Sequence, residues 1–451
     1  MKNTALKIVE VFQKAGYETY WAGGSVRDLV MGKQPQDYDI ATSALPDQIE
    51  QIVRKSHLLS GKTIDLGRSF GVMMAIVDGH HFEIATFRSD SDLSDGRRPD
   101  AVLFSNPKED AKRRDFTING MFYDPLRQEV IDYVGGQQDI KIKLIRFIGD
   151  PDQRIQEDYL RLLRAARFKF TFGFTYEHRS FRAIRQSAHF ITKTAHERVH
   201  DEISKMLKAG RKHGQTADLV FQELDHTGLL KEILPEVEAL KYTIQPAEYH
   251  AEGDVFMHTL RCLRALHPQT PEVVVWAVLL HDIGKPVTQQ LDGGKLMFRG
   301  HEKAGVEIAD QILSRLHFKR AEKEHILWLI EHHMMLLGFD RMREAKRLKW
   351  FMDVRFEDLL QVLFADSVGT SPTNLTAYNH LEEQYNQARE QKLLLPPDKL
   401  VTGNDIMEHF GLLPGEKVGF LMEIAHDAQL EGLINSKQEA LDLLGDYIDS
   451  N

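Results

Sequence analysis

Two hydrophobic periods divide this chain near residue 149. Before it, short apolar runs of period two alternate with helical stretches. Residues 1–16, MKNTALKIVEVFQKAG, read as an amphipathic helix, and Tyr17–Ala22 reads as a strand. Gly23-Gly24 then makes a turn, SVRDLVMG a short helix, and Asp37–Thr42 a second strand. GVMMAIVDG and HFEIATFRS predict two more strands joined by a turn at Asp78-Gly79, with Phe82, Ile84 and Thr86 alternating against Glu83, Ala85 and Phe87. From Gly149 onward the period is helical almost throughout. Leu160, Leu163, Ala166, Arg167 and Phe170 recur at helix spacing, and ERVHDEISKMLKAG is expected to end at a capping Gly210. Pro235, Pro246 and the loop 243–253 predict a boundary near residue 245. No internal repeat interrupts this pattern.

The chemistry-bearing residues of the first part fall on these elements in series. A Gly23-Gly24 pair lets backbone amides approach a triphosphate, and Ser25 is expected to cap the helix that follows. Asp37 and Asp39 stand at i and i+2 on a predicted strand, so their carboxylates share a face and suit one or two Mg²⁺ ions. Two such ions about 3.5–4 Å apart activate a hydroxyl and neutralise a departing pyrophosphate. Glu83, opposite in face to Phe82 and Ile84, is a candidate third carboxylate. Gly-Gly turns and Asp-x-Asp pairs are common singly; their order here is what points to nucleotide transfer.

GGSVRD, DYD, Arg113-Arg114-Asp115-Phe116-Thr117-Ile118-Asn119 and Glu157-Asp158-Tyr159-Leu160-Arg161 together resemble the bacterial class II tRNA nucleotidyltransferase and poly(A) polymerase family, from about Tyr17 to Phe168. The resemblance implies an α+β nucleotidyltransferase head, a small mixed β-sheet with helices, followed by an all-α neck, an HD body and a tail. The corresponding ranges are 1–146, 147–245, 246–392 and 393–451. It implies Asp37 and Asp39 as metal-binding catalytic carboxylates, with Glu83 beside them. Gly23, Gly24, Ser25, Arg27, Arg113, Arg114, Asp115 and Asn119 are then the triphosphate and sugar contacts. Asp158 and Arg161 become the pair that reads the incoming base, with Arg164 and Arg167 adding to the nucleotide site. Chemistry supports that pairing, because a fixed Asp/Arg couple presents acceptors and donors like a base edge, and three residues apart on a helix they share a face. An ordinary surface ion pair is the plain alternative. Gly120 stands where the family often has Ala, a difference expected to be harmless.

A second constellation follows the boundary: His258, His281-Asp282, His301, His332 or His333, and Asp366. Imidazoles with carboxylates suit a transition metal, and Lys285 in HDIGK suits a phosphate. The set resembles the HD phosphohydrolase superfamily. That implies His258, His281, Asp282 and Asp366 as ligands of Mn, Ni, Co or Fe, with His301 and one of the adjacent histidines serving a second metal or a phosphate. The expected reaction is hydrolysis of a phosphomonoester or 2′,3′-cyclic phosphate; the alternative is a degenerate helical body that binds tRNA. The tail from Val401 reads as three short helices punctuated by glycine and is expected to contact tRNA.

Composition narrows the partners. At 451 residues and 27% charged the chain is long enough for several cores, and a net charge of −10 argues against a globally basic nucleic-acid binder. Local strips such as Arg161, Arg164, Arg167 and Lys169, or Lys205, Lys208, Arg211 and Lys212, remain available to the tRNA 3′ end. A single cysteine, Cys262, excludes an intrachain disulfide and fits a reducing cytosol. No signal peptide or membrane-length apolar run is present, so a cytoplasmic monomer or homodimer is expected, using ATP, CTP and Mg²⁺. The polar loop between Arg88 and Ala101, with Gly96, is expected to swing as the site changes from C to A. CCA addition is the first expectation. Addition of the terminal A alone, polyadenylation, and an HD phosphohydrolase with an RNA-binding head are the alternatives.

Overall fold

The computed structural model describes residues 1–56, 59, 61–90, 102–246, 253–293, 295–391, 393–395 and 397–450. The chain folds as two compact units, one of residues 1–215 with 220–235, the other of 216–219 with 236–451. Among the described residues no helix is long and apolar enough to cross a membrane.

The first unit is built on a mixed sheet. Its strands are β1 (Thr19–Ala22), β2 (Asp39–Thr42), β3 (Lys62–Gly67), β4 (Val72–Val77) and β5 (His80–Thr86). A separate ribbon, β6 (Arg88–Asp90) with β7 (Val102–Phe104), precedes β8 (Met121–Asp124) and β9 (Glu129–Asp132). The sheet order is β3-β4-β5-β2-β1-β8-β9, with β2 and β5 parallel and the other pairs antiparallel. As the alternation predicts, Phe82, Ile84 and Thr86 are buried and Glu83 is exposed, but Phe87, expected on the face of Glu83, is fully buried because β5 ends at Thr86 and the alternation stops there. Asp78 and Gly79 both take positive φ, 51° and 73°, the geometry a two-residue hairpin requires.

Helix α1 (Lys2–Lys14) buries Ala5, Ile8, Val9 and Phe12 on one stripe. Each large side chain so buried contributes about 1.5–3 kcal/mol. Trp21 of β1 lies under this helix and donates to the Ala5 carbonyl at 3.3 Å. Two boundaries differ from expectation. Asp37 precedes β2 and stands outside the ladder, and the helix from residue 196 runs through Gly210 to His213, ending at Gly214 with φ 68°. Gly210 continues the helix because a neighbouring residue, Gly214, supplies the left-handed stop.

In the second unit, the helices Val255–Ala265, Glu272–Leu280, His301–Arg315, Arg320–His332 and Phe356–Gly369 carry the HD residues or support them. Val274 through Leu280 are all buried, so Glu272–Leu280 is a core helix rather than an amphipathic one. Pro286 does not close a loop but opens the short helix Lys285–Thr288. The tail forms three helices, Gly403–Phe410, Glu416–Leu430 and Lys437–Ser450, around Ile406, Leu421, Ala440 and Leu444.

Candidate functional site

A cleft of about 620 Å³ in the first unit is lined by Gly23, Gly24, Arg27, Asp37, Asp39, Arg113, Arg114, Asp115, Asn119, Asp158, Arg161, Arg164, Arg167 and Phe168. The sequence-predicted head residues therefore meet in one place, with Ser25 and Glu83 as the exceptions in its lining. Gly23 has φ 66°, and a Cβ on it would stand 3.2 Å from Arg114, so glycine is required there. Ser25 is not the helix cap. It is buried, and its hydroxyl donates to the Ala22 carbonyl at 3.0 Å, tying the turn back to β1.

Tyr38 is buried edge-on against Trp21, which turns Asp37 and Asp39 together to the open side. The convergence thus comes from the anchored Tyr38 rather than from a continuous strand. The parallel register Ile40↔Ile84 sets Asp39 next to Glu83 on the same face. Asp39 is exposed at the cleft mouth, yet the protein crowded around its carboxyl desolvates it and pushes it up to about 6, helped by the charge of Glu83 and, more weakly, Asp37, against the pull of Arg114. Crowded oxygen donors of like charge are what a hard divalent cation relieves.

Facing these carboxylates, the arginines are held rather than free. Asp110, in the helix Pro107–Arg113, is almost fully buried and accepts from Arg113 at 2.9 Å and from Arg114 at 3.2 and 3.0 Å. Asp110 lies in the charged run 108–112, KEDAK, a pattern that by itself reads as a solvated face, and its spacing of three and four from the two arginines is the signal that marks it as their anchor. Asp115 accepts from Arg164 at 2.8 and 2.5 Å and from Asn119 at 3.2 Å. Burial favours its neutral form, but the Arg164 guanidinium prevails and holds the carboxyl at about 2. Asn119 in turn accepts from Arg27 at 2.8 Å, whose guanidinium lies over Phe172.

Asp158 and Arg161 do not share a helical face. Asp158 ends the helix Pro151–Glu157 in an extended conformation, and the next helix begins at Arg161. Instead of pairing with each other, Arg161 donates to Glu157 at 2.6 Å and Asp158 accepts from Arg198 at 3.0 Å. Both still line the cleft, each held by further neighbours: Asp158 also accepts from the Leu160 N–H at 3.1 Å, and Arg161 also donates to the Arg154 and Arg113 carbonyls at 2.6 and 3.3 Å. Arg167 donates to buried Glu202 at 2.6 Å, and Lys169 pairs with Glu223. These two positions are thereby partnered within the fold. Gly120 allows Val134 and Ile148 to close in; a Cβ there would lie 2.7 and 2.8 Å from them, so alanine requires both to shift. The polar loop 91–101 lies outside the described residues, between β6 and β7.

In the second unit His258, His281, Asp282, His301, His333 and Asp366 converge. His258 Nε2 lies 3.0 Å from Asp366 and 3.7 Å from Asp282, and His281 Nε2 lies 3.3 Å from Asp282. His301 Nε2 stands 3.3 Å from Asp282 and 3.2 Å from His333 Nε2. The alternative between neighbouring histidines resolves to His333: it is buried in the cluster, whereas His332 packs on Trp328 and Trp350. The Nδ1 atoms of His281, His301 and His333 each donate to a backbone carbonyl three residues earlier, at 2.8, 2.9 and 2.7 Å. That orients the rings with Nε2 inward, the donor arrangement of a metal centre; against burial, the charge of Asp282 raises His281 to about 10, so a metal binding there displaces its Nε2 proton. Burial, then the charge of His281, keeps His333 low, at about 4. Lys285 donates to Asp282 at 2.6 Å and to Gln245 at 2.8 Å. Gly284 permits the approach of the helix His301–Arg315, because a Cβ would meet the His301 carbonyl at 2.1 Å. A cavity of about 720 Å³ opens onto Asp282, Lys285, His301 and Asp366.

Residues 19–146 match the poly(A) polymerase head domain, 173–241 a probable RNA- and SrmB-binding site of polymerase A, and 254–338 the HD domain. A CCA-adding enzyme of Lactobacillus gasseri is 30% identical over 444 residues, covering 97% of this chain and 95% of that protein. An A-adding tRNA nucleotidyltransferase of Deinococcus radiodurans is 31% identical over 433 residues, 93% of each. Other CCA-adding enzymes align more strongly, but the chain spans about half of their length. The fold matches that of the Bacillus stearothermophilus CCA-adding enzyme in complex with CTP, with a TM-score of 0.72, 23% identity and coverage of 99% and 98%. With two near-full-length relatives of this kind and a poly(A) polymerase head, the chain belongs to the tRNA nucleotidyltransferase family.

Proposed function

We propose that this chain adds CCA to the 3′ end of tRNA, using CTP and ATP with Mg²⁺. The observation that carries the reading is the single cleft in which Asp37 and Asp39, with Glu83 alongside, face Arg113 and Arg114. In the reaction the terminal 3′-oxygen of the RNA attacks the α-phosphorus of a nucleoside triphosphate, a phosphodiester forms and pyrophosphate leaves. Mg²⁺ held by Asp37 and Asp39 would supply acidification of the attacking hydroxyl and charge neutralisation of the pyrophosphate. Arg113 and Arg114 bind the phosphates, where a planar guanidinium matches two oxygens at once. Asn119, aligned by Asp115 and Arg27, orients the ribose. Asp158 and Arg161 read the base edge from the cleft wall, Asp158 positioned by Arg198 and Arg161 by Glu157.

Incubating the protein with Mg²⁺, labelled CTP and ATP, and tRNA lacking its last three nucleotides is the direct test. Extension by all three supports the proposal. Incorporation of A alone, and only onto tRNA already ending in CC, selects terminal A addition, the activity named for the Deinococcus relative. No extension of either tRNA overturns both.

The HD cluster supports a second activity of the same chain, metal-assisted hydrolysis of a phosphomonoester or 2′,3′-cyclic phosphate. The convergent Nε2 atoms suit a transition metal, and Lys285, on the wall of the adjoining cavity, suits a phosphate. A His281→Ala, Asp282→Ala double variant is expected to lose any hydrolysis stimulated by Mn²⁺, Ni²⁺ or Co²⁺ while keeping nucleotide addition in Mg²⁺. A cytoplasmic location accords with these substrates.

A further inference from the structure

Cys262 is the chain's single cysteine and is fully buried. It follows His258 by four residues in the helix Val255–Ala265, so the two side chains share a face. Its Sγ lies 3.3 Å from His258 Nε2. The facing helix leaves room for the sulfur at Gly369, where a Cβ would stand 2.2 Å from Sγ. Gly369 lies three residues beyond Asp366, so the same turn provides both the carboxylate and the space for the thiol.

Ligand atoms of His258, Cys262, His281 and Asp366 all lie within 4.8 Å of one another. Within this group His281 Nε2 is buried and makes no hydrogen bond, although its ring is aimed at the same point. Three edges are 3.0 Å from His258 to Asp366, 3.3 Å from His258 to Cys262 and 3.8 Å from His281 to Asp366, and the others lie within 4.8 Å. A tetrahedral ion with bonds of about 2.0–2.3 Å sets its ligands about 3.3–3.8 Å apart, which small side-chain movements reach from here.

We propose that the Cys262 thiolate is a metal ligand, adding sulfur to the His258, His281 and Asp366 donors, with Asp282 reaching His258 and His281 through one oxygen and His301 through the other. This rests on the reading of the HD cluster as a transition-metal centre. On binding, the thiol releases its proton to solvent and its sulfur donates an electron pair to the ion. A sulfur ligand biases the site toward Zn²⁺, Fe²⁺, Co²⁺ or Ni²⁺ and away from Mg²⁺.

The test is Co²⁺ titration of the metal-free full chain, with Mg²⁺ in excess to fill the oxygen-only head site. With one cysteine in the chain, a thiolate-to-cobalt charge-transfer band in the near ultraviolet has a single origin. The wild type is expected to develop that band to saturation at one Co²⁺ per chain. Cys262→Ser and Cys262→Ala are expected to lose it while retaining cobalt by elemental analysis. Bound cobalt without the band in the wild type overturns the inference and leaves the metal centre standing. Absence of any bound cobalt overturns both.

Discussion

Asp39 gives the head its sharpest pH signature. Its carboxyl is raised to about 6 by desolvation, then by Glu83 and Asp37, with Arg114 opposing. A proton and a divalent cation compete for this group, so the sign is fixed. Above pH 6 the carboxylate is ionised and the Mg²⁺ requirement stays flat; below it, each pH unit raises the requirement about tenfold. At pH 5 the half-saturating Mg²⁺ is expected to be about ten times that at pH 7, since roughly nine-tenths of Asp39 is then protonated. The folded-state value is raised rather than depressed, so the metal-free fold also loses stability as pH climbs from near 4 through 6, the reverse of an ordinary carboxylate.

The assay is Mg²⁺ half-saturation of single-nucleotide incorporation between pH 5 and 8 at constant ionic strength. Glu83→Gln deletes the second-largest contribution, so its break in the curve is expected at lower pH. A half-saturation that stays level to pH 5, or a break unmoved in Glu83→Gln, would refute the claim that these carboxylates share one ion's environment.

Three further outcomes are expected. Arg164→Met leaves buried Asp115 with Asn119 but without its guanidinium and should lower stability by about 2–3 kcal/mol in urea unfolding at pH 7; because the Asp115 value is depressed, the pair's contribution is present above pH 4 and fades toward pH 2. Asp110→Asn frees Arg113 and Arg114 from their common anchor and should weaken triphosphate binding about tenfold, or 1.4 kcal/mol, by calorimetry; unchanged affinity would mean the arginines are placed by other contacts. Asp158→Ala and Arg161→Ala should blunt discrimination among the four triphosphates, each lost base contact being worth about 1–3 kcal/mol; intact ratios in both would assign the two residues to the ion pairs with Arg198 and Glu157 alone.

Much of the head could be read from the sequence because its signals are local. Alternation in HFEIATF, the Asp78-Gly79 turn and the Gly-Gly approach each depend on residues next to one another. The misreadings have a common cause. Ser25 reads as a cap because its type fits, but its hydroxyl finds the Ala22 carbonyl first. Asp158 and Arg161 read as an i,i+3 pair because helical spacing was extended across a break that no proline or glycine marks. Asp110 was hidden in a charged run because burial is a tertiary property. His332 and His333 were indistinguishable until the turn after the helix Arg320–His332 rotated one onto tryptophan and the other into the cluster.

Charge placement explains how an acidic chain can hold so many guanidiniums in one cleft. Arg27 is paired with Asp28, Arg113 and Arg114 with Asp110, Arg161 with Glu157, Arg164 with Asp115 and Arg167 with Glu202. Each partner fixes a direction as well as a charge, so the donors are oriented before any phosphate arrives and little side-chain entropy is left to lose on binding. The carboxylate side of the cleft is arranged the opposite way: Asp39 and Glu83 stand together, with Arg114 offsetting Asp39. A cation is therefore most strongly favoured at the end of the cleft where the protein leaves like charges adjacent, and a triphosphate bridging that cation to the paired arginines satisfies both ends at once.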